Sequence, residues 1–322
     1  MSLFLITVQQ VGILLFYIIV GYFFRRKNWV SDQAGKILAK FLTFFITPVY
    51  NLVNLTKNVN LENLITYATL FVAGLVATAL YIAISIPISH FFSNQKLQRH
   101  IYSYMFAFSN LGYFGYPLVD AVFGSQALVE FMIFCIPLSI ALNSYGYFIL
   151  TDTYEGKNSK KANIKDILSR IFCPPVIGTV IGLVLAFSPL EMPSLFYEIL
   201  SPAANSMSLM AMLLSGTVLA SYSLKKLFSS AKAYLVGTVR LLILPALIGG
   251  ICYLLYRLQV LNYQVVLPIM ISSCLPAGMN VIVFPESVGM DSSTGARACF
   301  ISYVMAIATI PIVFSVIEFL MA

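Results

Sequence analysis

Along its 322 residues the chain is a succession of long apolar runs separated by short polar loops. The runs cover residues 3–24, 37–55, 64–92, 101–123, 127–151, 171–188, 196–222, 232–256, 263–288 and 296–320. Most are close to the ~20 residues that carry a helix across the ~30 Å hydrocarbon layer of a bilayer. The pattern therefore predicts an all-α polytopic membrane protein of ten transmembrane helices. Nothing basic precedes the first run, no small-residue cleavage site follows it, and Arg25, Arg26 and Lys27 come after it. It reads as a span and not as a signal peptide.

Composition agrees and closes other classes. Apolar residues make up 60% of the chain and charged ones 10%, against ~45–50% and ~25% in ordinary globular proteins. The mean hydropathy of +0.90 leaves too little polar surface for a soluble enzyme, a disordered chain, a coiled coil or a disulfide scaffold. The formal charge of +7 is a matter of sidedness. Sixteen of the 19 Lys and Arg residues fall in the loops after spans one, three, five, seven and nine. By the positive-inside rule that side is the cytoplasm. Both termini are then extracytoplasmic, the location is the plasma membrane, and nucleic-acid binding loses its only support.

The longest polar segment lies at the middle of the chain. It divides residues 1–151, a first five-helix repeat, from residues 171–322, a second, with 152–170 as a cytoplasmic linker. Five spans per half force the second half to enter from the opposite face, which is an inverted-topology repeat. Pro48, Pro87 and Pro117 recur as Pro202, Pro245 and Pro276 at about half the chain length, although pairing Pro117 with Pro285 instead leaves the register open.

Spans four and nine cannot be continuous helices. The fourth contains Ser109-Asn110-Leu111-Gly112-Tyr113-Phe114-Gly115-Tyr116-Pro117, and the ninth Pro276-Ala277-Gly278-Met279-Asn280 followed by Pro285. Proline removes a backbone donor and glycine lowers the cost of leaving the helix. Freed backbone is tolerated at membrane depth only where protein buries it or it lines a cavity. Paired breaks in corresponding places of two halves point to a transporter's binding site, with half-helix N-termini turned towards an anion. Asn110, Gly112, Tyr113, Pro117, Pro276, Gly278 and Asn280 are accordingly candidate substrate-binding residues, joined by Asn143 near the centre of span five. Tyr50, Asn51 and Asn54 in span two, Tyr145 in span five, and Ser272 and Ser273 in span nine are further polar residues at depth, each of which must find a partner. Asp120, Arg240 and Glu286 are candidate coupling or gating residues. For Arg240 the competing expectation is a side chain that snorkels to the cytoplasmic headgroups.

The five cysteines are isolated and the two histidines have no ligand-spaced partner, so no metal site is expected. No hydrolase, zinc-protease or nucleotide-binding motif is present, so neither an enzyme nor an ATP-driven pump is expected. No cofactor is called for beyond a coupling H+ or Na+.

The chain resembles the auxin efflux carrier family, which also holds the plant PIN carriers and bacterial malate and malonate permeases. The likeness runs through Gly21-Tyr22-Phe23-Phe24-Arg25-Arg26-Lys27, Pro48-Val49-Tyr50-Asn51, Ser109-Asn110, Gly115-Tyr116-Pro117-Leu118, Cys173-Pro174-Pro175-Val176-Ile177-Gly178 and Leu275-Pro276-Ala277-Gly278. It implies the ten-helix fold of bile-acid and sodium–proton transporters, with broken helices 4 and 9 crossing. Helices 1, 2, 6 and 7 would form a scaffold and a homodimer contact, and 3–5 and 8–10 a transport domain. It also implies an organic-anion substrate. Where plant carriers have a proline, this chain has Val281, which adds that position to the candidate site. The function expected is an elevator-type secondary transporter of a small carboxylate such as malate. An anion channel or uniporter using the same crossover, or a membrane ligand sensor, is the alternative.

Overall fold

The computed structural model describes residues 2–31, 33–151, 164–190 and 192–321. The stretch 152–163 of the expected linker, with Lys157, Lys160 and Lys161, lies outside them. The helices, in chain order, are α1 (Leu3–Arg26), α2 (Ala34–Asn58), α3 (Leu64–Phe92), α4 (Lys96–Ala107), α5 (Leu111–Thr151), α6 (Ile164–Ile171), α7 (Pro174–Phe187), α8 (Ser194–Leu219), α9 (Leu224–Phe228), α10 (Ala231–Arg257), α11 (Tyr263–Cys274), α12 (Asn280–Ser287) and α13 (Ser293–Met321). Among the described residues seven helices are long and apolar enough to cross a membrane, and α7 and α11 are shorter apolar helices. The protein is thus an all-helical, multi-pass membrane protein.

Helix α5, at 41 residues, would be about 60 Å long if straight, twice the hydrocarbon thickness. It is not straight. Gly124 has φ 84° and ψ 174°, a conformation that L side chains rarely adopt. There the chain leaves one helical arm and begins another, between the runs expected to end at 123 and start at 127. Wide π turns occur at Leu42–Ile46, Leu111–Gly115 and Val239–Ile243. Each ends two residues before a proline, Pro48, Pro117 or Pro245, where the missing N–H would interrupt the ordinary ladder.

Two packing groups are evident, joined by a contact of α1 with α13. Helix α1 runs along α8, and α2 along α7 and the first half of α8. Helix α3 packs on α4 and α5, while α10 and α11 pack on α13. Small residues set the closest approaches, as is usual where lipid supplies no hydrophobic drive between helices. A Cβ built on Gly216 would lie 2.1 Å from the Ile18 carbonyl oxygen, and one on Gly21 2.4 Å from that of Leu213. In the other group a Cβ on Gly74 would lie 2.1 Å from the Phe134 carbonyl oxygen. Large apolar side chains such as Ile65, Phe16 and Phe319 point outwards, as they should where the surrounding medium is hydrocarbon. The five cysteines are free, and four are buried as small apolar residues.

Candidate substrate site

Both expected breaks are present, and they lie against each other. Helix α4 stops at Ala107, and Phe108 is extended with φ −120° and ψ 124°. Helix α11 stops at Cys274, and Leu275 is extended with φ −68° and ψ 150°. Ser109 and Ala277 then pair as an isolated antiparallel bridge, with the Asn110 N–H donating to the Pro276 carbonyl at 2.9 Å. The Ala277 N–H donates to Ser302 Oγ at 3.1 Å, and Ser109 Oγ to the Ser272 carbonyl at 2.7 Å. The freed backbone is therefore largely satisfied inside the protein, as its depth requires. The unwinding covers Phe108–Asn110 and Leu275–Met279, ahead of both later prolines. Pro117 is in the first α-helical turn after a π turn, where a missing N–H is tolerated, and Pro285 lies within α12. The second helix therefore unwinds before Asn280 and Val281, which both lie within the first turn of α12.

Beside the breaks is a cavity of about 570 Å³. One wall is the junction itself, with Asn110, Gly112 and Tyr113 at the start of α5 and Gly278, Met279 and Asn280 at the start of α12. The other wall comes from α2 and α7, through Thr43, Thr47, Asn51 and Thr179. The second arm of α5 adds Ser139 and Asn143. Of the substrate-site candidates, then, Asn110, Gly112, Tyr113, Asn143, Gly278 and Asn280 share one cavity. Pro117, Pro276 and Val281 do not line it. Pro276 contributes its carbonyl to the bridge, and Val281 is buried against α13, where a Cβ on Gly295 would meet its carbonyl oxygen at 2.7 Å.

The polar groups of this cavity are unevenly satisfied. Among the described residues the backbone N–H groups of Gly112, Tyr113, Met279 and Asn280 make no hydrogen bond, because each belongs to a helix start or its approach, whereas the Gly278 N–H faces the Phe108 carbonyl across the Ser109–Ala277 bridge. Asn51 Nδ2 donates to the Pro175 carbonyl and to Thr179 Oγ1, both at 3.0 Å, while its Oδ1 and the Thr47 hydroxyl are buried without a partner. Asn110 turns its amide away, donating to the Tyr303 hydroxyl of α13. Asn143 donates to the Ser139 carbonyl of its own helix at 2.8 Å. No charged side chain lines the cavity among the described residues.

The candidate coupling residues are elsewhere. Arg240 does not snorkel. It is 2% exposed and donates through Nη1 to the Phe106 carbonyl and through Nη2 to that of Ser272, each at 3.2 Å. Asp120 is exposed on the first arm of α5. Glu286 accepts from the Tyr222 hydroxyl at 2.9 Å and from Ser292 Oγ at 2.8 Å. The Tyr222 carbonyl in turn accepts from Arg26 at the end of α1. Partial burial, with the Glu286 carboxylate beside it, pushes the Tyr222 phenol up to about 12, so it remains a donor at physiological pH.

Asn51 was visible as a polar residue at depth in span two, but nothing local assigned it to the site. Glu130 was missed altogether. It is 7% exposed within α5 and accepts from Gln126 Nε2 at 3.3 Å.

Apolar helices of membrane-spanning length around a cavity at two helix breaks define a membrane transporter by class. The membrane transport protein family model matches residues 6–314, and the chain belongs to that family, which takes in the auxin efflux carriers. It is 24% identical over 314 residues to a protein named an uncharacterized transporter from Methanocaldococcus jannaschii, covering 95% of this chain and 97% of that one. It is 26% identical over 209 residues to another so named from Methanothermobacter thermautotrophicus, covering 64% of each.

Proposed function

We propose that the protein carries a small organic anion across the plasma membrane, bound in the cavity where α5 and α12 begin. The observation that carries this reading is the set of four unpaired N–H groups, of Gly112, Tyr113, Met279 and Asn280, at those two helix starts. Each start has a partial positive charge of roughly half a unit, which favours an anion. A carboxylate would accept from the N–H groups, while Asn51 Oδ1 would accept from a hydroxyl or N–H elsewhere on the ligand. With no Lys or Arg in the lining, a second or third carboxylate would have no counter-charge. The cavity thus favours one carboxylate on a largely apolar body over malate or citrate.

The packing groups support an elevator-type exchange, with α3–α5 and α10–α13 moving against α1, α2, α7 and α8. In this reading the chain crosses ten times as two inverted repeats, with both termini outside, the two broken helices crossed and a homodimer formed through the scaffold. The coupling ion in this reading, where transport is coupled, is H+ or Na+.

The test is thermal unfolding of the purified protein with lactate, indole-acetate, malate, malonate, citrate and several amino acids, with and without sodium, at two pH values. A ligand at a hundred times its Kd stabilises the folded state by about 2.7 kcal/mol. A shift of several degrees for a single-carboxylate acid, lost in Asn280→Ala, is expected. Asn280 is preferred to Asn110 as the probe because the Asn110 amide holds Tyr303, and its removal would act through the fold. No shift with any anion, or one only with a neutral or cationic compound, removes the anion reading.

Glu286 is the gating candidate with partners in both groups. Through Tyr222 it ties α12 to the α8–α9 turn, and Arg26 reaches the same turn from α1. Tyr222→Phe removes the hydroxyl and little else, so transport should change two- to tenfold in rate while the midpoint of unfolding moves by less than about 1 kcal/mol. Rates equal to wild type would exclude the gating role.

A further inference from the structure

The guanidinium of Arg240 joins the two helix ends that the cavity does not use. Helices α4 and α11 both terminate in the protein interior, so their last carbonyls concentrate about half a negative charge each. A fixed cation is costly at this depth unless something negative faces it. Arg240 makes no ion pair among the described residues: Nη1 and Nη2 each take one carbonyl, of Phe106 and Ser272, and Nε has no partner. The two negative ends, about one unit together, are the match for its single charge. The planar fork of arginine reaches both at once, which a lysine ammonium does less well. The side chain is set by the π turn Val239–Ile243, two residues ahead of Pro245.

We propose that Arg240 is a built-in counter-cation and positioning residue. It neutralises the C-terminal ends of α4 and α11 at the place where unwound backbone would otherwise need a mobile cation. The N-terminal ends of α5 and α12 then keep their positive potential towards the cavity, and the junction holds its form without sodium. Ser109 Oγ and Arg240 Nη2 both donate to the Ser272 carbonyl. The same guanidinium that balances the charge therefore also fixes the strand-like pair Ser109–Ala277.

The experiment is amide hydrogen exchange on the full-length purified protein, comparing wild type, Arg240→Lys, Arg240→Met and Arg240→Ala, in sodium chloride and in choline chloride. In wild type the peptides spanning 106–114 and 272–282 should exchange equally in both salts. Arg240→Met keeps bulk but no charge, and should exchange there at least tenfold faster, with α1 and α8 unchanged. Arg240→Lys should recover at least half of the lost protection on a logarithmic scale, and millimolar methylguanidinium should do the same for Arg240→Ala. A plain packing role would be satisfied by methionine and indifferent to methylguanidinium. Wild-type protection in Arg240→Met overturns the proposal, as does wild-type protein that loses protection in choline. The salt comparison needs no variant, so it decides even if the variants do not accumulate. The readout needs no substrate, so a failed anion screen overturns the carrier reading alone.

Discussion

Gly112→Leu should lower transport at least a hundredfold and leave thermal unfolding within about 1 kcal/mol of wild type. Most glycine substitutions at a packed helix cost stability, but this one has room. A Cβ at Gly112 would meet only Met207 Cε and Tyr116 Cε2, each at 4.0 Å, which is ordinary contact. The remainder of the leucine side chain would extend into the cavity of about 570 Å³, beside one of the four free N–H groups. Leucine is also the better helix former by up to ~1 kcal/mol, which offsets minor repacking. Gly278→Leu should have the same functional effect with a larger stability cost, because its Cβ would lie 3.4 Å from the Ser109 carbonyl oxygen. The check is substrate flux in proteoliposomes alongside unfolding in detergent. Unchanged flux in both variants would remove the cavity as the site.

Gly74→Val and Gly216→Val should fail in the opposite way, through folding. At both positions a Cβ would fall 2.1 Å from a backbone carbonyl oxygen, of Phe134 and Ile18 respectively. No rotamer change relieves a clash with backbone, so the helices must part by about 1 Å along their contact. Overpacking costs typically ~1–3 kcal/mol and more where backbone must move. Separating these helices also forfeits the dispersion contacts that hold membrane helices together. Alanine at either site should cost about 2–4 kcal/mol, and valine should prevent accumulation of folded protein. The check is the amount of monodisperse protein extracted from membranes and its unfolding midpoint. Normal yield of both valine variants would mean that α1–α8 and α3–α5 are less closely packed than described.

The pairing of these two results follows from where each glycine sits, and that was only partly readable. Gly112 and Gly278 stood out because each is beside a proline or asparagine in a run that should be helical. Gly74 and Gly216 carry no such mark, since a glycine in an apolar run looks the same whether it faces lipid or another backbone. The polar positions behave similarly. Asn110 and Asn280 were legible as costly groups at depth, yet the partner of Asn110 is Tyr303, nearly 200 residues away. Arg240 was legible as an isolated cation within a span. Its carbonyl partners were not, because every residue has a carbonyl and only the ends of broken helices leave one free.

The sequence by itself determined the class of the protein, the apolar character of its helices and the two segments where helices must stop. Those properties are local: hydropathy over twenty residues decides what enters the bilayer, and a proline or glycine acts on its own turn. Only the tertiary structure decided that the two stops meet at Ser109 and Ala277, that α2 and α7 close the cavity with Asn51 and Thr179, and that Arg240 faces the two negative helix ends. Each of these contacts joins residues far apart in the chain. In a membrane, where apolar surface alone does not choose a partner, they are selected by which backbones can approach closely and which freed polar groups can satisfy one another.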